Sequence, residues 1–184
     1  MTMSKWFENT LLVSGEEPEL RWFEQSAKPA RDAFGSKLSL ERLYPMPVAV
    51  YPKAINPAEL KARCDDRWYH WCLTHWGTID IQEMNRKFEN PNSGCGWEFQ
   101  LHFPEANLNV YRLDVVATIT YGEPESLVYR FVSAEGAPVG WLVKVGGDFA
   151  LRFKLTYEAP ELGVRGVTVV DQGAILVDEC QRYA

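Results

Sequence analysis

The sequence predicts an α+β fold, in which an antiparallel sheet carries helices on one face. Residues 149–158 alternate between apolar and polar side chains, which is typical of a half-buried strand. Residues 57–76 instead carry apolar side chains at spacings of three and four, which is typical of a helix with one buried face. Near the end of the chain, two short apolar runs flank Asp171-Gln172-Gly173, as expected of a β-hairpin.

The length of 184 residues predicts one domain over residues 1–184, with an insertion around residues 85–125. Apolar residues make up 46% of the chain, which is ample for a hydrophobic core. The first strand is predicted at residues 6–14, where alternate positions are apolar. Ser14 and Glu17 have the spacing of a capping box, so a helix is expected over residues 17–28.

Residues 37–43 begin as an alternating sequence and are predicted to form a strand. Pro45, Pro47 and Pro52 follow, and they favour an extended path over a central strand. The core is therefore predicted to consist of strands 6–14, 37–43, 126–133 and 149–158 with helices 17–28 and 138–146. The helix at 57–76 and strands within 97–121 are expected to elaborate that core.

The helix at 57–76 is the richest stretch of the chain in Trp, His and Cys. Asn56 and Pro57 suit its start, and Gly77 suits the left-handed residue after its end. One face carries Leu60, Cys64, Trp68, Trp71, Cys72 and His75. We interpret this face as packing against the sheet, although Trp and Tyr are also common anchors in binding surfaces.

A metal site is the chemical alternative for this helix. Cys72 and His75 are three residues apart and could reach one ion, with His70 as a third candidate ligand, but zinc usually takes three or four ligands. Paired C-x-x-C or H-x-x-x-H spacings are absent, so we predict no metal and no cofactor.

The segment from 85 to 96 is rich in Asn, Pro, Ser and Gly and is predicted to be a surface loop. A binding surface is predicted at this loop and at the exposed edge of the long helix. Its candidate residues are Tyr69, His70, Asn92, Cys95 and Trp97.

Charge and motifs exclude several classes of function. The net charge of −6 disfavours broad binding to phosphate backbones, which requires a basic face. No run of about 18 or more apolar residues and no signal-peptide pattern occur, so neither a membrane span nor a secreted precursor is expected. The scattered cysteines fit reduced thiols in the cytoplasm. Nucleotide-binding, G-x-S-x-G and H-E-x-x-H motifs are absent.

Several islands of sequence together resemble the Api92-like or YubB-type family (DUF1281-like), found on bacterial plasmids, phages and genomic islands. The most specific island is W-C-x-x-x-W-G-T. The matching residues are Trp6, Asn9, Leu11, Val13, Gly15, Pro45, Met46, Pro47, Trp71, Cys72, Trp76, Gly77, Thr78, Tyr157, Glu158, Gly163 and Gly166. The chain departs from the family at Ile79-Asp80 and at residues 133–138, so a surface that the family shares there is expected to be altered.

The resemblance implies a ferredoxin-like β-α-β-β-α-β core and no iron–sulfur cluster. It also implies a small cytoplasmic binding protein that contacts a host or defence protein, for example in an anti-CRISPR or anti-restriction role. A single-stranded nucleic-acid-binding domain is one alternative, since ferredoxin-like sheets can present aromatic residues to RNA. A small enzyme is another, with acid–base chemistry drawn from histidines and nearby carboxylates. Its candidate residues are His70, His75, His102, Asp65, Asp66 and Glu98.

Overall fold

The computed structural model describes residues 5–28, 38–50, 67–78 and 126–183. These residues form five strands, four α-helices and two short 3-10 turns. The strands are β1 (Trp6–Ser14), β2 (Ser126–Ala134), β3 (Arg152–Ala159), β4 (Val164–Asp171) and β5 (Ala174–Arg182). The helices are α1 (Glu17–Ala27), α2 (Leu40–Leu43), α3 (Arg67–His75) and α4 (Val139–Gly146). The 3-10 turns are Val48–Val50 and Pro160–Leu162.

The five strands form one antiparallel sheet in the order β2-β1-β3-β4-β5. Strands β2 and β3 lie on either side of β1, and α4 connects them. This is the split β-α-β crossing of a ferredoxin-like core. The predicted α+β class with a ferredoxin-like core is therefore confirmed.

One face of the sheet is buried beneath the helices. In β1 and β3 the odd-numbered side chains are buried, as the two-residue period of a strand requires. The ring of Phe23 on α1 packs edge-on to Phe153, 5.4 Å between centroids, and lies 6.0 Å from Tyr129. Helix α4 packs beside it, with Gly146 against Val170 and Phe153. Both helices contact Phe153, so they lie on the same face.

The predicted C-terminal hairpin is confirmed. Strands β4 and β5 are joined by Gln172 and Gly173, whose φ angles of 47° and 83° are both positive. This is the backbone of a type I′ turn, whose twist matches that of paired strands.

The strand predicted at residues 37–43 is wrong. Leu40–Leu43 is a short helix, and the hydroxyl of Ser39 accepts a hydrogen bond from the backbone N–H of Arg42 at 3.2 Å. Leu38 and Leu40 are both buried, which produced the apparent alternation. The competing signal was Ser39 itself, which is a preferred N-cap residue.

The remaining predictions concern elements at the margins of the described residues. Helix α3 forms the C-terminal part of the helix predicted at 57–76, and Gly77 follows it with φ 81°. Residues 57–66, the strands predicted within 97–121 and the insertion predicted around 85–125 lie outside the described residues. No helix in the described ranges has the length and apolar character needed to cross a bilayer.

Candidate functional site

The residues proposed from sequence do not form a defined site among the described residues. Tyr69 and His70 lie on α3, and His70 is exposed. Asn92, Cys95 and Trp97 lie outside the described residues, so the predicted loop surface stays a prediction.

The W-C-x-x-x-W-G-T island has a structural role. Trp76 is 1% exposed, and its indole Nε1 donates a hydrogen bond to the backbone oxygen of Tyr44 at 3.0 Å. Thr78 is fully buried and donates from its hydroxyl to the backbone oxygen of Ala134 at 2.8 Å. The island thus ties α3 both to β2 and to the segment around the buried Met46.

Cys72 and His75 do not form a metal site in the described structure. Cys72 is fully buried in the core, whereas His75 stacks on Trp71 with 4.5 Å between ring centroids. The Nδ1 atom of His75 lies 3.0 Å from the backbone oxygen of Trp71. No group of three or more His, Cys, Asp or Glu side chains suited to a metal ion occurs among the described residues.

The more distinctive surface is the face of the sheet opposite the helices, which we call the open face. Residues paired across neighbouring strands form lateral rows on it. One row contains Val132, Glu8, Glu158, Arg165 and Gln181. The adjacent row contains Arg130, Thr10, Thr156, Val167 and Glu179.

These two rows line a concavity of about 430 Å³. Its lining residues are Glu8, Thr10, Thr156, Tyr157, Glu158, Arg165, Gly166, Val167, Glu179 and Gln181. They include three glutamates and one arginine, so the lining is net acidic. No histidine lies among these lining residues.

The three glutamates form no ion pair with another residue in the part of the chain that the structure describes. Glu8 and Glu158 lie directly opposite each other on β1 and β3. Like charges in directly opposed positions of a sheet repel, so this arrangement favours the binding of a cation between them.

Tyr183 borders the acidic end of the concavity. Its phenol donates a hydrogen bond to Oε1 of Glu158 at 2.5 Å, and this bond raises the pKa of the phenol. The guanidinium of Arg165 lies 5.7 Å from the centre of the Tyr183 ring and 3.5 Å from Oε1 of Gln181. Arg165 thus contacts an aromatic ring and an amide. It lies on β4 directly opposite Glu158 but forms no ion pair with a described carboxylate.

The alternating sequence of β1 and β3 identified their solvent-facing positions, including Glu8, Thr10, Thr156 and Glu158. What it could not indicate was that these residues lie side by side. That requires the register between β1 and β3, which are separated by more than a hundred residues in sequence.

Comparisons with known proteins return little. No family model and no curated protein matches the chain. The structure is similar to the crystal structure of a protein api92 from Yersinia pseudotuberculosis, assigned to DUF1281, with 12% sequence identity, 98% coverage of both chains and a TM-score of 0.45. The resemblance inferred from the sequence islands and the one found by structure therefore name the same family. At this identity it carries no residue role across to the present chain.

Proposed function

We propose that this protein binds another protein by surface contact and receives a cationic segment in the concavity of the open face. One observation carries the proposal: the concavity is lined by three glutamates that form no ion pair within residues 5–28, 38–50, 67–78 and 126–183, and two of them are directly opposed. A lysine or arginine side chain placed there would relieve their repulsion. Thr10, Thr156 and Gln181 offer hydrogen-bonding groups beside the carboxylates.

The overall charge of −6 is consistent with a basic partner, because it would increase the rate of encounter with one. The family resemblance suggests where such a partner would be found. We accordingly propose a cytoplasmic protein encoded by a mobile element, whose partner is a host or defence protein. Counter-defence, of the anti-CRISPR or anti-restriction kind, is the specific form of this proposal.

A binding titration tests the site. The probe is a fluorescein-labelled lysine- and arginine-rich peptide, titrated at low and at physiological salt. We expect binding that weakens with added salt, because surface charges are screened over a Debye length of about 10 Å at 0.1 M ionic strength.

Two double variants with the same change in net charge distinguish binding at the concavity from attraction to the protein's overall negative charge. Glu8→Gln with Glu179→Gln removes two carboxylates from the concavity and leaves the Glu158–Tyr183 hydrogen bond in place. Glu16→Gln with Glu161→Gln removes two exposed carboxylates elsewhere. The first pair should weaken binding about 10-fold, which corresponds to about 1.4 kcal/mol, and the second less than about 2-fold. Equal effects of the two pairs would contradict the proposed site.

A single-stranded oligonucleotide serves as the second probe. Tyr157 lines the concavity and Tyr183 borders it, but the charges of the lining are net acidic and would repel a phosphate backbone. We expect no change in fluorescence anisotropy even at low salt. Oligonucleotide binding tighter than that of the peptide would favour the nucleic-acid alternative instead.

A further inference from the structure

Strand β5 forms an outer edge of the described sheet. It pairs with β4 on one side, and no other described strand pairs with its second side. It is nine residues long, and eight of its nine residues are exposed. Such an edge carries a row of backbone N–H and C=O groups that can pair with another strand.

Proteins commonly prevent edge pairing with charged side chains (lysine above all), proline, β-bulges or very short strands. Strand β5 does carry charges, at Asp178, Glu179 and Arg182, but they are of both signs. The sequence of β5, A-I-L-V-D-E-C-Q-R, contains neither lysine nor proline. Its one irregularity is a bulge near its start, opposite Val169 and Val170. The part from Val177 onward is regular and continues into Tyr183, whose N–H donates to the backbone oxygen of Gly163 at 2.7 Å.

This regular part is complementary to itself in one antiparallel register. When Cys180 lies opposite Cys180 of a second copy, Asp178 faces Arg182 twice, once on each side of the two-fold axis. Glu179 then faces Gln181, and Val177 faces Tyr183. Opposite charges and aromatic–aliphatic pairs in directly opposed positions stabilise strand pairing.

Neighbouring registers of the same symmetry are less favourable. Centring the pair on Asp178 or on Glu179 places a carboxylate directly against its own copy, which is repulsive. Centring it on Val177 places the apolar Ile175 opposite Glu179. Among the registers centred on residues 177–180, the one centred on Cys180 is therefore the most favourable, because it alone pairs Asp178 with Arg182.

We propose that β5 is a self-association edge, at which two copies of this chain pair antiparallel about Cys180 and join their two described five-stranded sheets into one. Side chains of paired residues lie on the same face in this register, so the open faces of the two copies are continuous. Glu179 and Gln181 belong both to this edge and to the concavity. Each concavity is thereby extended by Gln181 and Glu179 of the second copy. The pairing itself rests on β5 alone and does not depend on the proposed function.

Charge reversal at the edge tests the register. Asp178→Arg places arginine against Arg182 of the second copy, and Arg182→Asp places aspartate against Asp178. Each variant alone should be monomeric by light scattering after size exclusion, at concentrations where the wild-type chain dimerises. An equimolar mixture should recover the dimer, because both ion pairs re-form in the mixed pair.

The mixture also separates loss of association from loss of folding. Asp178 accepts a hydrogen bond from the Thr168 hydroxyl at 2.9 Å, so Asp178→Arg also removes an intrachain contact. A variant that failed to fold would not form a dimer with the other variant in the mixture. Recovery of the dimer in the mixture supports the proposal. A wild-type chain that stays monomeric up to about 1 mM, well above the range expected even for a small interface, overturns it.

Cross-linking at Cys180 provides an independent readout. Opposed residues in an antiparallel pair have Cα atoms about 4.5–5.5 Å apart, so a short bismaleimide should bridge the two thiols. Cys180 is exposed and Cys72 is buried, and a background with Cys64→Ser and Cys95→Ser removes the other two thiols. We expect a covalent dimer that Cys180→Ser abolishes. A wild-type dimer that gives no Cys180-dependent cross-link would overturn the proposed register.

Discussion

Tyr129 carries a buried hydroxyl without a hydrogen-bond partner among the described residues. Its side chain is fully buried on the helix-facing side of β2. Burial, with a smaller contribution from the charge of Glu24, raises the pKa of this phenol well above its usual range. A buried polar group without a partner destabilises the folded state.

Tyr129→Phe is therefore expected to stabilise the protein, by about 1 kcal/mol, because it removes an unpaired hydroxyl and leaves the ring in place. Urea unfolding at pH 8 measures this change. Tyr157→Phe is the comparison, since burial and a hydrogen bond with Cys180 raise the pKa of Tyr157 to about 12. If Tyr129→Phe is the more destabilising of the two, the hydroxyl of Tyr129 has a partner in solution.

The phenols of Tyr129 and Tyr157 make the stability of the folded chain depend on pH in the alkaline range. Each has a higher pKa in the folded chain than when unfolded, so the folded state retains protons that the unfolded state releases above about pH 10. Their contribution to stability is complete below pH 10 and is lost as the pH rises from there. The loss of stability between pH 9 and pH 11 should consequently be smaller in Tyr129→Phe than in the wild-type chain.

At the scale of elements, the end of α3 packs closely against the start of α4. A Cβ atom on Gly140 would lie 2.6 Å from the backbone oxygen of His75. The backbone N–H of Trp141 donates to the backbone oxygen of Trp76 at 3.1 Å, and the Trp141 indole donates to that of Leu40 at 3.0 Å. The two helices approach this closely because glycine occupies the contact.

Gly140→Ala should destabilise the protein by about 2 kcal/mol or more, because the added methyl would overlap backbone atoms of His75 and Trp76. Gly147→Ala is the matched control. Gly147 follows α4 in right-handed helical conformation, and its nearest neighbour to an added Cβ is at an ordinary 3.5 Å. That change should be neutral or slightly stabilising. Similar thermal midpoints for the two variants would show that α3 and α4 separate readily.

Elements were predictable where the local pattern had a single interpretation. Strands β1 and β3 and the terminal hairpin follow from alternation and turn chemistry. The strand prediction for residues 37–43 was wrong because Leu38 and Leu40 fit a strand period of two, while Ser39 caps a short helix. The Trp, His and Cys residues around α3 suggested a metal or ligand site. Residue types and their spacing cannot show that Trp76 and Thr78 instead donate hydrogen bonds to backbone oxygens.

At the scale of the whole molecule, the candidate site arises from strand order, which no local pattern contains. Glu8, Glu158 and Glu179 come from distant parts of the chain and meet only because β1 is next to β3 and β5 completes the edge. The proposed self-association likewise depends on β5 being outermost. The concavity and the β5 edge could therefore be identified only from the strand order of the folded sheet.

Hydrogen exchange should reveal this order of strands directly. Amides of β1 and β3 are paired on both sides and covered by α1 and α4, so they should exchange only when the whole chain unfolds. Amides on the outer side of β5 should exchange faster by on the order of 100-fold or more at low protein concentration. Mass spectrometry of peptides covering residues 6–14 and 174–182 compares them in one sample.

Repeating the hydrogen-exchange experiment at several protein concentrations tests whether two copies pair through β5. If two copies pair through β5, protection of residues 177–183 should rise with protein concentration, while that of β1 stays constant. Arg182→Asp should abolish the rise without changing β1, because it affects the edge and not the core. Strong protection of β5 at all concentrations would instead mean that its outer side is already paired within one chain, and the second copy would have no edge to join.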